Sequence, residues 1–78
     1  MHFVYILESE NQEHWYVGLT DDLDWRLAEH NAGKSSHTSK FGSWNLKTYA
    51  AFRDRSRAEA FELYLKSHSG RAFIKKHL

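Results

Sequence analysis

The sequence predicts an α+β domain: a small three-stranded β-sheet with flanking helices, in the order β-β-α-β-α-(α). Three observations carry this reading. Two runs of high strand propensity, HFVYIL and HWYVGL, stand close together near the start of the chain. Two later segments combine polar caps with apolar residues four apart, the helical spacing. A third strand-like run, NLKTYAAF, lies between those helices. At 78 residues the chain is read as one domain, residues 1–78.

In HFVYIL, alternation places Phe3, Tyr5 and Leu7 on one face and Val4 and Ile6 on the other. The polar connector SENQE has hairpin length, so HFVYIL and HWYVGL should pair antiparallel. Gly18 marks a bend or a close backbone approach. TDDLDWRLAEHNAG reads as the first helix. Asp21 or Asp22 caps its first turn, Asp24 suits the positive end of the helix dipole, Leu23 and Leu27 face the core, and Gly33 ends it. KSSHTSKFGSW is a polar surface loop. In NLKTYAAF, Leu46, Thr48, Ala50 and Phe52 alternate with Lys47, Tyr49 and Ala51. Ser56-Arg57-Ala58-Glu59 fits a capping box and predicts a helix from Ser56 to about Ser67, with Phe61 and Leu65 on its apolar stripe. Gly70 is expected to break the chain before a short final helix, RAFIKKHL. There is no proline and no repeat.

Composition narrows the function. The chain is 41% hydrophobic, with three Trp, four Tyr and five Phe, which argues for a packed core and against disorder. The absence of cysteine excludes a disulfide framework and a thiolate zinc site. The histidines show neither HxH nor HExxH spacing, no glycine-rich phosphate loop is present, and no serine has a GxSxG context. No apolar run approaches the roughly 20 residues of a membrane span, and the N-terminus does not read as a signal peptide. The expectation is a cytoplasmic protein with no membrane partner. The net charge is only +1, but basic residues dominate from Lys34 onward. That half is a possible phosphate-facing surface, although charge alone favours an ordinary solvated face.

Several side chains have the chemistry for phosphoryl transfer. Arg26 and His30 are spaced i, i+4 and share one helix face. Arg offers a planar fork that matches phosphate oxygens, and His moves protons near neutral pH. Spacing alone favours a plainer account, with Arg26 paired to Asp22 and His30 exposed. Tyr5 and Tyr16 lie on neighbouring strands, where their hydroxyls could converge, although tyrosines of this kind usually pack a sheet. Glu62 sits beside the apolar stripe of the second helix, placed either to hold one Mg²⁺ or to pair with Lys66 at i, i+4.

Taken together, these residues resemble the GIY-YIG nuclease family over nearly the whole chain. FVYIL is similar to the first motif, with Tyr5 at its tyrosine, and WYVGLT to the second, with Tyr16-Val17-Gly18 standing for YIG. DLDWRLAEHNAG resembles the segment that carries the family's arginine, at Arg26, and a following histidine or tyrosine, at His30. AEAFELYLK resembles the helix around the metal-binding glutamate, at Glu62. HTSKFGSW and LKSHSGRAFIKKHL resemble the small standalone members. The chain departs from the pattern at Phe3 and Val4, where the family has glycine and isoleucine.

The resemblance implies a metal-dependent endonuclease acting on DNA. Glu62 would hold one Mg²⁺ or Mn²⁺, Arg26 would stabilise the transition state, and Tyr5 would be the general base. Tyr16 and His30 would orient the phosphate or shuttle protons. Lys40, Arg71 and Lys75 are looser candidates for backbone phosphate contacts. The alternative is a non-catalytic nucleic-acid-binding module that keeps the fold.

Overall fold

The first two strand-like runs close on each other as a hairpin, and the third returns to the far side of the first. In the computed structural model, which describes residues 1–33, 38 and 42–78, the strands are β1 (His2–Ser9), β2 (Trp15–Thr20) and β3 (Trp44–Phe52). The helices are α1 (Leu23–Asn31), α2 (Arg55–Lys66) and α3 (His68–His77). Both pairings are antiparallel and the sheet order is β2-β1-β3, so the expected α+β architecture and element order hold.

β1 is the central strand, and both of its faces are covered. Val4, Ile6 and Val17 pack against Ala58, Leu65 and Ile74 of α2 and α3. Tyr5, Leu7 and Trp44 form a second cluster with Tyr16, Leu23 and Leu27, under α1. An unbroken apolar run is what a strand buried on both sides requires, which is why Val4, Tyr5, Ile6 and Leu7 are all buried.

Four local expectations are corrected. The alternation of β3 is interrupted, because a register shift between Ile6 and Leu7 leaves Lys47 as an extra residue. Leu46 therefore pairs with Leu7 and leaves the face of Thr48 and Ala50, which pair with Ile6 and Val4. The cap of α2 is Asp54, not Ser56. Its carboxylate accepts hydrogen bonds from the Ser56 backbone N–H at 2.9 Å and the Ser56 hydroxyl at 2.8 Å, so Ser56 lies inside the first turn. An anionic acceptor at the helix start outcompetes a hydroxyl two residues later. Gly70 does not break the chain but sits within α3, whose cap is Ser67. A Cβ on Gly70 would lie 1.8 Å from the carbonyl oxygen of Tyr64, so glycine there is a packing requirement between α2 and α3. Lastly, β2 runs on through Gly18 to Thr20, so of the two readings of Gly18 the bend fails and the close approach holds.

Other expectations hold. Asp22 caps α1, accepting from the Trp25 N–H at 3.1 Å. Gly33 follows α1 with φ 76°, the left-handed conformation that favours glycine. No helix among the described residues is long and apolar enough to cross a membrane.

Gly70→Ala is expected to destabilise the fold by about 1–3 kcal/mol, the usual range for overpacking. Urea unfolding followed by circular dichroism measures it as a fall in the midpoint at unchanged slope.

Candidate active site

The site is built on the register of β1 against β2. Tyr5 pairs with Gly18, and in an antiparallel ladder paired side chains share a face. Gly18 has no side chain, and a Cβ there would lie 2.4 Å from the Tyr5 hydroxyl oxygen. The glycine is the space into which the Tyr5 ring lies down. Tyr16, two positions earlier on β2, faces the same way, with ring centroids 6.2 Å apart.

α1 supplies the rest of this cluster. His30 Nε2 is 2.9 Å from Tyr5 Oη, and the His30 ring centroid is 4.8 Å from that of Tyr16. His30 is only 1% exposed, contrary to the exposed position that spacing alone favours. One turn earlier, the Arg26 guanidinium lies close enough to act on the Tyr5 hydroxyl. Its acidic partner is Glu29, through Nη1 and Oε1, and not Asp22. α1 is pinned to β3 by Asn31, whose side chain donates to the Trp44 carbonyl at 3.1 Å and accepts from the Trp44 N–H at 2.7 Å.

Thr38 lies within the polar loop and is a participant that sequence reasoning missed. It is fully buried, its Oγ1 lies 2.8 Å from His30 Nδ1, and its carbonyl accepts from Trp44 Nε1 at 2.9 Å. A threonine in a serine-rich polar stretch carries no periodic or spacing signal of burial.

The electrostatics follow from this packing. Burial pushes the Tyr5 phenol up to about 12; Arg26 pulls against this, while Tyr16 and Glu62 add to it. Burial and then the charge of Arg26 lower the His30 value, against an opposing pull from Glu29. His30 is therefore neutral and Tyr5 protonated at neutral pH.

Glu62 approaches from α2, on the other side of the sheet. It is close enough to act on the Tyr5 hydroxyl electrostatically. It also accepts from Lys66 Nζ at 3.0 Å, so the i, i+4 pair of the plainer reading is present. Among the described residues no group of three or more His, Asp or Glu could hold a metal ion. A single half-buried carboxylate does not fit zinc, but it fits Mg²⁺, which keeps several waters and needs one or two carboxylates.

Arg71 and Lys75 lie on α3 and line a depression with Gln12, His14 and Trp15. A second groove, lined by Trp15, Tyr16, Lys66 and Arg71, runs beside it round the β2 edge. Tyr16 belongs to that groove and to the cluster around Tyr5. Lys40 lies outside the described residues.

The sequence profile of the GIY-YIG catalytic domain matches residues 1–76. The chain belongs to this family. Among its relatives is the UPF0213 protein of Halalkalibacterium halodurans, 37% identical over 71 residues that cover 90% of this chain and 74% of the relative. The UPF0213 protein of Haloquadratum walsbyi is 36% identical over 69 residues, covering 87% of this chain and 76% of the relative. The solution NMR structure of the UPF0213 protein from Bacillus halodurans matches with a TM-score of 0.57 and 33% identity, over 94% of this chain and 80% of that one.

Family membership gives the Tyr5–Gly18 contact a further meaning. Tyr5 and Gly18, the positions that resemble the tyrosine of GIY and the glycine of YIG, are one packing unit in this chain, because the second makes room for the first. Phe3 pairs with Thr20 and packs edge-on against Tyr49, with ring centroids 5.9 Å apart.

A histidine whose value is lowered in the folded chain binds its proton more readily in the unfolded one. Its stabilising contribution is present above the unfolded value of about 6.5 and is lost as the pH falls through the lowered folded value. Unfolding midpoints measured downward from neutral pH should therefore drop more steeply for the natural chain than for His30→Gln.

Proposed function

We propose that this GIY-YIG domain hydrolyses phosphodiester bonds in DNA as an endonuclease dependent on Mg²⁺ or Mn²⁺. The observation that carries the reading is the environment of Tyr5 Oη. It lies 2.9 Å from the Nε2 of a neutral imidazole, within electrostatic reach of Arg26 and Glu62.

In this reading Arg26 takes a non-bridging phosphate oxygen. Its fixed charge stabilises the excess negative charge of the pentavalent transition state. Glu29 holds the guanidinium in place. Tyr5 is too weak an acid to be a resting phenolate, so it works in concert with His30. The attacking water gives its proton to Tyr5 Oη while the Tyr5 proton passes to His30 Nε2, leaving an imidazolium. The new P–O bond forms from the water oxygen as the bond to the leaving oxygen breaks on the opposite side. Tyr16 orients the phosphate through its hydroxyl. Glu62 would hold the divalent ion, which when bound neutralises charge on the scissile phosphate and the leaving oxygen. Arg71 and Lys75 then take backbone phosphates farther along the same strand.

Glu62→Ala and Arg26→Ala should each reduce Mg²⁺-dependent nicking of supercoiled plasmid by about 10²-fold or more, with unchanged circular dichroism. Undiminished cleavage by Glu62→Ala overturns the enzyme assignment. Salt-sensitive retention of DNA that ignores both chelator and Glu62 identifies the non-catalytic binding module instead.

Replacing Arg71 and Lys75 by Ala should weaken DNA binding in a sequence-independent way. The slope of log affinity against log salt should shrink by about one for each phosphate left without its cation. Fluorescence-anisotropy titrations at several salt concentrations check this.

A further inference from the structure

His30 is held from two sides. Tyr5 Oη faces its Nε2 at 2.9 Å and Thr38 Oγ1 faces its Nδ1 at 2.8 Å. Tyr5 Oη carries one proton and can accept further hydrogen bonds. Arg26 has only donors and its positive charge acts on that oxygen, so the hydroxyl proton turns away from it. The acceptor beside the Tyr5 proton is then His30 Nε2. A neutral imidazole that accepts at Nε2 carries its own proton on Nδ1. That N–H is buried and must have an acceptor, because an unsatisfied buried donor is strongly disfavoured. Thr38 Oγ1 is in place to accept it.

We propose that Thr38 is a positioning residue of this site, whose hydroxyl oxygen accepts from His30 Nδ1–H and keeps Nε2 open to the Tyr5 proton. Thr38 is fastened for the task. Its carbonyl takes the Trp44 indole N–H, and Asn31 clamps the Trp44 backbone. Each step in that chain is a direct hydrogen bond, and together they join β3 to α1.

Among the described residues, the charged and titratable groups around the imidazole are Tyr5 from β1, Tyr16 from β2, and Arg26 and Glu29 from α1 itself. Thr38 adds no charge to them. It fixes where the imidazole proton sits without stabilising imidazolium as a carboxylate on Nδ1 would. When Nε2 takes the Tyr5 proton, the Nδ1–H bond to Thr38 is retained, so proton transfer requires no rearrangement of the buried side.

The placement of Thr38 is independent of the nuclease reading, and its effect on rate rests on that reading, so the test has one arm for each. Long-range ¹H–¹⁵N spectra of the labelled full chain at neutral pH should show His30 protonated at Nδ1 and bare at Nε2. Thr38→Val should shift it towards the Nε2–H form, and Thr38→Ser should retain the natural tautomer. In plasmid nicking, Thr38→Val should lose about 10- to 100-fold, the range for removing the partner that orients an imidazole, with the acid limb of its pH–rate profile displaced. Thr38→Ser should recover both. A natural chain with His30 protonated at Nε2 overturns the proposal, as does an unchanged tautomer in Thr38→Val. If Thr38→Val does not fold, the natural chain's tautomer decides alone. Absence of nicking by the natural chain counts against the nuclease reading, and the tautomer spectra still decide the placement of Thr38.

Discussion

A tyrosine ring lies across a glycine in the middle of this sheet, and its hydroxyl meets a buried histidine. Tyr5 and His30 are each about 1% exposed, and their polar atoms lie 2.9 Å apart. Left unpaired, each group would cost about 1–3 kcal/mol. Their mutual bond satisfies two such demands at once, and the remaining imidazole nitrogen passes a third to Thr38. Among the described residues no buried side-chain nitrogen or oxygen is left without a partner. The network that holds α1 against the sheet is therefore the same set of atoms that would move protons.

The two faces of the sheet divide the labour. The face towards α2 and α3 is aliphatic and aromatic and supplies most of the apolar packing. The face towards α1 is aromatic with polar tips, formed by Tyr5, Tyr16 and Trp44. Glu62 belongs to the first layer yet acts on the Tyr5 hydroxyl of the second. Its placement depends on how α2 is set, through the Asp54 cap at one end and the close α2–α3 crossing at Gly70 on the other. A candidate site drawn from both layers needs the whole domain to be folded, which suits so short a chain.

Burial moves the two central groups in opposite directions. It holds the proton on Tyr5 and keeps His30 neutral. The resting arrangement is uncharged at the point where a water would be activated, and the fixed charges of Arg26 and Glu29 stand beside it. Pairs of groups whose environments push their values apart mark acid–base assignments in many sites. In the proposed reaction, the separation ties proton transfer out of Tyr5 to its uptake by His30.

The sequence by itself determined the order of elements, the hairpin and the two faces of β1, because strand alternation and capping act over a few residues. It also placed Arg26 and His30 on one helix face and Glu62 beside an apolar stripe. Local pattern misjudged contacts between alternatives of similar local merit. Arg26 chose Glu29 over Asp22, and Asp54 displaced Ser56 as a cap. Only the tertiary structure decided that His30 is buried, that Gly18 and Gly70 are spaces for other groups, and that Thr38 reaches the imidazole. Each of these depends on a partner distant in the chain or on another element. Tyr5 is 25 residues from His30 in sequence, and no periodicity or propensity records a contact made by bringing two elements together.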